Sequence, residues 1–411
     1  SVLIIMISVT GFTQKKCPIQ DFKYRRSSLH TMIIESNDFI EGKKDIILKA
    51  YNNAPFPDKY NNHCLKSRSF KPEDYAVTNE EKIAAGFKKT DKALSLVIEK
   101  YIKKEKIGNA LVAKWFDRKE DGTFDMNLIG ERGFYNASDL DVSTAKGTAR
   151  GTACLNDAGE ELISNTFFIV NKVKFVNNEI VAALIRDAAY FAVKDLSGFK
   201  KTLAVKAADI IYNKTKEGYS VWTSSYLYKL KWTPEVANTF YCDLWMDKTN
   251  IDAVKKAAFD NSDIFQLEFV GKKEASSLVT FSFKDRTEEE ILTLATVRNV
   301  NTVYSKLQKK YDVFKTKTPI ISINPVTAQI GMKEGLTGGE KFEILEQVVD
   351  QKTGLTKYVK KGKIKVKKGK VWDNRFNAGE SKEGKEITEL HATTFKGGKK
   401  CYPGMLIRQI K

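Results

Sequence analysis

The spacing of apolar residues changes several times along the chain, and each change predicts a different element. Residues 17–78 carry the weakest pattern. Pro55, Pro57 and Pro72, with Asn52-Asn53 and Asn61-Asn62, predict loops around a few short elements. Thr78 and Glu81 then form a capping box, in which each side chain satisfies a free backbone donor of the other residue. Ile83, Phe87, Leu94, Ile98 and Tyr101 follow at roughly helical spacing and predict a helix with one buried face. Leu111 to Phe116 reads as a strand and Asp121-Gly122 as a tight turn, with Ser138 and Asp141 capping a second helix that runs to about Ser164. The run Phe167-Phe168-Ile169-Val170, continuing through Val173, Phe175 and Val176, predicts a mostly buried strand. Ile180, Leu184, Ala188 and Phe191 then predict one buried helical face, ending near Ser197-Gly198.

Strands are predicted at 219–232 and 236–246, a helix near 250–260, and strands near 264–270 and 278–283. A second capping box, Thr287 with Glu290, opens a long helix. Its apolar stripe Val297, Val300, Tyr304, Leu307, Tyr311 and Phe314 suits a helix lying across its own sheet better than a coiled-coil seam. Intermixed strands and helices predict a two-layer α+β arrangement. After Thr316 the pattern changes again. Ile320-Ile321-Ser322-Ile323 lies between Pro319 and Pro325, and turns recur at Gly335, Gly338-Gly339, Gly354, Gly362 and Gly369. Short strands at that spacing predict a small barrel or sandwich. The fold class is therefore α+β, with a central mixed sheet-and-helix domain followed by a small C-terminal all-β barrel or sandwich. The expected divisions are a leader over 1–14, an N-terminal region of loops plus a helix over 15–110, the central domain over 111–316 and a β domain over 317–411.

The leader expectation rests on Val2 to Val9, an apolar run with no charge before Lys15 and small residues at Gly11 and Thr13. A membrane-crossing helix needs about 20 apolar residues, whereas a signal-peptide core needs about 7–15. A clipped signal peptide and export to the periplasm or outer envelope follow, with a buried N-terminal strand as the competing reading. Cys17, Cys64, Cys154, Cys242 and Cys401 are scattered and odd in number, without a C-x-x-C pair, which suits neither a disulfide scaffold nor a zinc site. His30, His63 and His391 are the only imidazoles, so a His-rich metal centre is not expected.

Charge adds a second expectation. The chain carries a net +18, and 301–411 alone hold 22 Lys and 2 Arg against 3 Asp and 8 Glu, a net of +13. The densest stretch supplies Lys360, Lys361, Lys363, Lys365, Lys367, Lys368 and Lys370 as candidate polyanion-binding residues. Alternation in a strand would point Ile364 and Val366 inward and Lys363, Lys365 and Lys367 outward. The plainer account of such lysines is a solvated face that protects a strand edge from pairing. Trp372 and Phe376 lie near enough in sequence to stack on a ligand or to serve the core. No helix-turn-helix, zinc finger or RNP-type motif accompanies the basic charge, and Lys outnumbers Arg.

Catalytic signatures are not found. Gly335 to Lys341 superficially resembles a phosphate loop, but Glu340 separates Gly339 from Lys341 and no Ser or Thr follows; a β-turn fits it better. No G-x-S-x-G elbow or H-E-x-x-H occurs. The pairs Asp139/Asp141 and Asp157/Glu160/Glu161 fit capping and solvation better than acid/base work. Tyr219, Trp222, Tyr226, Tyr228 and Trp232 suit a packed sheet face better than a sugar platform. No catalytic, cofactor or metal residues are assigned.

Two segments, Gly130-Glu131-Arg132-Gly133-Phe134-Tyr135-Asn136-Ala137-Ser138-Asp139 and Asp157 to Phe167, resemble a group of uncharacterised exported proteins common in Bacteroidales. Lys370-Val371-Trp372-Asp373-Asn374-Arg375 and Tyr402-Pro403-Gly404-Met405 are similar to the C-terminal end of that group. The resemblance covers the central and last domains and implies a Gram-negative envelope address; the group lends no activity. The expected function is a non-catalytic cell-envelope protein that binds a partner or polymer, with a polyanion at the Lys-rich strand. An envelope protein, an anionic glycan and an anionic lipid surface are the partners considered. The alternatives are a glycan-acting enzyme of a class without a short motif, and a nucleic-acid binder.

Overall fold

A computed structural model describes residues 24–135, 158–280, 287–349, 356–378 and 390–410. The leader, Cys17, Cys154, the Ser138/Asp141 cap and the acidic pair Asp139/Asp141 lie outside these residues, as do Asp157 and the side chain of Glu160.

The central sheet begins with β1 (Ser28–Ile34), seven buried residues drawn from the segment expected to be mostly loops. After α1 (Lys44–Asn53), the two-residue strands β2 (Asn61–Asn62) and β3 (Ser69–Phe70) pair in parallel with its two halves. The capping box at Thr78 and Glu81 opens α2 (Asn79–Ala84). The single helix expected over 79–101 is two: Gly86 turns the chain at a φ of +79°, and α3 (Leu94–Lys104) starts afresh. The strand expected at Leu111–Phe116 is instead α4 (Ile107–Trp115). Its run Ala110-Leu111-Val112-Ala113 is apolar because the helix is buried, and continuous apolarity alone does not separate a buried helix from a buried strand.

Helices α5 (Asn127–Tyr135) and α6 (Ala158–Ser164) lead to β4 (Thr166–Asn177), a strand where the sequence predicts one. Then come α7 (Asn178–Ala192), α8 (Gly198–Thr215) and β5 (Gly218–Leu230). The face of α7 expected to be buried is exposed at Ile180, Leu184 and Phe191. The strand expected at 236–246 is a helix, α9 (Pro234–Thr239), continued by a wider turn over 240–244; Thr233 caps it and Pro234 presets its first φ. After α10 (Ala253–Asn261), the two strands expected near 264–270 and 278–283 are one, β6 (Leu267–Thr280), across their described residues. A bulge opposite Leu227 and Tyr228 accommodates Gly271, where Tyr311 packs so closely that a Cβ would fall 2.1 Å from its hydroxyl.

The sheet order is β2-β1-β4-β5-β6, parallel between β1 and β4 and antiparallel from β4 to β6. Along β4, Phe167, Ile169 and Val173 face α1 and α11 (Glu288–Lys310), while Phe168 and Val170 face α3 and α4. Helices therefore cover both faces, and three layers replace the expected two. An apolar residue at every position of 167–170 is the signature of a strand buried on both sides. α11 opens at the Thr287/Glu290 capping box and buries Val297, Val300, Tyr304 and Leu307 against β5 and β6.

The C-terminal barrel comprises β7 (Thr318–Ile323), β8 (Val326–Ala328), β9 (Lys341–Val349), β10 (Thr356–Val366), β11 (Thr393–Gly397) and β12 (Leu406–Gln409). They close in the order β10-β11-β8-β7-β12-β9, every pair antiparallel, around Ile320, Phe342, Ile344, Ile364, Val366, Phe395 and Ile407. The barrel is held to the sheet layer by polar ties. Tyr24 and Tyr358 share a 2.6 Å hydrogen bond, Tyr358 donates to Glu161 at 3.2 Å, and Lys333 pairs with Asp58 at 2.9 Å. No helix among the described residues is long and apolar enough to cross a membrane.

Candidate functional site

The alternation predicted for β10 is present. Ile364 and Val366 are buried in the barrel, while Lys363, Lys365 and Lys367 stand exposed outside it. Lys360, Lys361, Lys368 and Lys370 are exposed as well. The seven candidates fall into two groups. Lys360 reaches Glu343 at 3.4 Å and Lys361, the extra residue of a bulge between Lys360 and Gly362, reaches Glu346 at 2.7 Å. Burial opposes ionisation of Glu343, but Arg408 and Lys360 outweigh it and hold the carboxyl below its usual range. Lys363 is in register with Glu343, whose carboxylate is already held by Arg408 at 2.7 Å. Lys363, Lys365, Lys367, Lys368 and Lys370 make no ion pair among the described residues.

The strand edge that these lysines would protect is only partly present. Closure of the barrel pairs Ile364 and Lys365 with β9 on one side and β11 on the other, whereas Val366 is in register with β11 alone and 356–360 and 362–363 with β9 alone. Edge protection thus leaves Lys365 unexplained. Its neighbours are more informative. Lys365 is in register with Lys341 of β9 and with Lys396 of β11, and all three are exposed. Directly opposed residues of antiparallel strands have Cβ atoms about 4.5–5.5 Å apart on one face, and like charges there are destabilising. Three ammonium groups thus form one rung across three strands. Sequence reasoning missed Lys341 and Lys396, because only the strand register brings them beside Lys365.

Below the rung lies the turn Gly338-Gly339, where a Cβ on Gly339 would fall 3.7 Å from Cε of Lys365 and 4.0 Å from that of Lys368. The phosphate-loop resemblance at 335–341 dissolves in its hydrogen bonds. The N–H groups of Thr337 and Gly338 each donate to the carboxylate of Glu340 at 2.9 Å, so the loop closes on its own anion. A second lysine group, also missed, lies where β6 meets the end of α11. Lys272, Lys273, Lys306, Lys309 and Lys310 line an open groove with Glu274 as its one carboxylate. Lys309 donates to the carbonyl of Gly335 at 2.7 Å, which carries this group toward the glycine turn under the barrel lysines.

The other candidates are used structurally. Trp372 and Phe376 are half-buried; the Trp372 N–H donates to Thr393 at 3.0 Å and the Phe376 carbonyl accepts from Arg298 at 3.0 Å. Tyr226, Tyr228 and Trp232 are buried, and Tyr219 donates to Glu288 at 2.6 Å, leaving Trp222 as the exposed ring of that set. Glu161 accepts from Tyr358 in the barrel tie. Cys64, Cys242 and Cys401 are free thiols. Among the described residues, no group of three His, Cys, Asp or Glu is placed to hold a metal ion. No known protein family matches the chain, and no curated protein matches it.

Proposed function

We propose that the protein is a non-catalytic component of the cell envelope that holds a polyanion against the lysine-bearing side of its C-terminal barrel. The observation that carries this reading is the Lys341–Lys365–Lys396 rung. Directly opposed like charges work against the barrel, and an anionic ligand would offset that repulsion. Lys363 and Lys367 extend the positive surface along β10. Lysine ammonium groups are compact, mobile point charges, so the recognition is diffuse attraction and not the bidentate fit that arginine gives. The envelope address draws on the charge-free run Val2–Val9 and on the resemblance to exported proteins.

The test replaces Lys363, Lys365 and Lys367 together by Gln, which keeps a polar, flexible side chain one atom shorter and removes three charges. Binding is measured to a sulfated glycan and to vesicles containing an anionic phospholipid, each at low and moderate salt, beside thermal melting. Exposed charges are screened over about 8–10 Å near physiological salt. Wild-type binding should therefore weaken steeply with salt and fall sharply in the variant, with melting retained. Binding and melting both unchanged would reduce these lysines to an ordinary solvated face.

A further inference from the structure

The lysine groove beside the barrel carries more charge than its local setting explains. β6 ends the sheet order, so one edge of Lys272-Lys273-Glu274 has no neighbouring strand among the described residues. The last turn of α11 brings Lys306, Lys309 and Lys310 to that edge, and the six residues line an open groove of about 1070 Å³. Charged side chains on an open strand edge block pairing with another chain, and cations are favourable at a helix C-terminus. Each of these causes accounts for its own lysines. Neither accounts for setting the two groups around one groove, where like charges repel. Five lysines against one glutamate leave the groove a net +4, and that glutamate already pairs with Lys272 at 2.6 Å. Lys306 and Lys309 donate to the backbone carbonyls of Glu274 and Gly335 at 2.9 and 2.7 Å, which occupies a proton of each ammonium and leaves its charge. Lys273 and Lys310 make no hydrogen bond or ion pair among the described residues.

The groove and the barrel rung meet at the glycine turn. A Cβ on Gly335 would stand 3.0 Å from the Lys309 ammonium, and one on Gly339 would stand 3.7 Å from Cε of Lys365. The four residues of chain between these two glycines span at most about 14 Å. Within the turn Leu336 is buried, Thr337 is exposed and Gly338 has no side chain. Its carboxylate, Glu340, is held by the N–H groups of Thr337 and Gly338. Nothing in the turn larger than the Thr337 side chain stands out between the two lysine groups.

We infer that groove and rung are two ends of one track, which takes a linear anionic glycan lying across the glycine turn from the barrel to the sheet edge. The inference rests on the polyanion reading of the barrel face and adds the form of the ligand. A chain carrying anionic groups along its length reaches both lysine groups at once. None of the six groove residues is aromatic, so the bases of a single-stranded nucleic acid would find no ring there to stack on.

The test measures binding of end-labelled heparin disaccharide and heparin dodecasaccharide to the full chain by fluorescence anisotropy at low salt. Joining two sites through one ligand makes the second contact intramolecular, so the wild type should bind the dodecasaccharide about 100-fold or more tighter than the disaccharide. Lys273→Gln with Lys310→Gln removes the two unbonded charges of the groove, and melting should match the wild type. This variant should lose about ten-fold or more in dodecasaccharide affinity and keep its disaccharide binding at the rung. Lys88→Gln with Lys89→Gln removes equal charge from an exposed segment elsewhere and should leave both affinities close to wild type. A groove variant that matches this control, while Lys341→Gln, Lys365→Gln and Lys396→Gln together weaken dodecasaccharide binding, overturns the single track and leaves the barrel site standing. Wild type that binds neither oligosaccharide nor anionic phospholipid vesicles removes the polyanion reading itself. Wild type that binds the vesicles and no dodecasaccharide overturns the inference in favour of a lipid surface.

Discussion

Acidification should destabilise the protein through two buried histidines, and the size of the effect follows from their surroundings. His63 is fully buried, with Nε2 2.9 Å from the Leu111 carbonyl, Nδ1 2.9 Å from Arg132 and its ring stacked 4.8 Å from Trp115. Burial first, and the Arg132 guanidinium second, push its pKa well below the usual 6.5. His30 is stacked 5.0 Å from Phe168, and burial, then Arg68 and Lys114, lower its pKa to about 3. Both rings are neutral in the fold, whereas the unfolded chain takes up their protons near pH 6.5. Their stabilising contribution is therefore complete above pH 6.5 and is lost as pH falls toward the folded values. At pH 5.5 each histidine costs about 1.4 kcal/mol and the two together about 2.8 kcal/mol, a slope approaching ~2.5 kcal/mol per pH unit. Carboxyls held below their usual range, such as Glu35 and Asp38, act mainly near and below their ordinary values of 4.5 and 3.8, so the change between pH 6.5 and 5.5 belongs chiefly to the histidines. Urea unfolding followed by tryptophan fluorescence at pH 7.5, 6.5 and 5.5 gives the slope. His63→Gln keeps a donor for Leu111 and an acceptor for Arg132 while removing one proton, and should reduce the slope by about half. Stability that is flat from pH 7.5 to 5.5, or an equal slope in His63→Gln, would refute the reasoning.

Three substitutions probe the scaffold. Gly108→Ala should raise helix propensity by ~1 kcal/mol, yet its Cβ would stand 1.8 Å from the Phe265 carbonyl oxygen. The clash should dominate, with a net loss of about 1–3 kcal/mol or more in denaturant unfolding. Thr287→Ala removes one half of the α11 capping box and should cost about 1 kcal/mol, read as a lower urea midpoint at unchanged m-value. Tyr358→Phe deletes the hydrogen bonds to Tyr24 and Glu161 that tie barrel to sheet, and should cost about 1–3 kcal/mol in thermal melting.

Local signals in the sequence are legible where their cause is itself local. Both capping boxes sit where Thr-x-x-Glu places them, because the bonds they make span three residues. The apolar run of β4 and the stripe of α11 were legible because one partner surface selects each period. Short apolar runs without a clear period failed, and Ile107–Trp115 formed a helix whose burial on several sides erased its stripe. The 236–246 segment failed for a related reason. Phe240 and Tyr241 pack among Phe116, Trp232 and Trp245, so its aromatics report a crowded core and not strand propensity. On α7 the period was right and the burial wrong, since nothing local says whether a stripe faces the body or the solvent. For the lysine surface, the sequence supplied the β10 members, while Lys341 and Lys396 join only through register between strands 24 and 31 residues distant.

The most direct measurement of the central claim compares two variants with equal loss of charge. Lys341→Gln, Lys365→Gln and Lys396→Gln together dismantle the rung; Lys88→Gln, Lys89→Gln and Lys92→Gln together remove three exposed lysines from the segment between α2 and α3. Each protein is eluted from a sulfated-glycan resin with a rising salt gradient. If the barrel face binds the polyanion, the rung variant elutes at much lower salt than the wild type and the other variant stays close to it. Equal shifts in both variants would attribute the retention to net charge alone, and an unshifted rung variant would contradict the account.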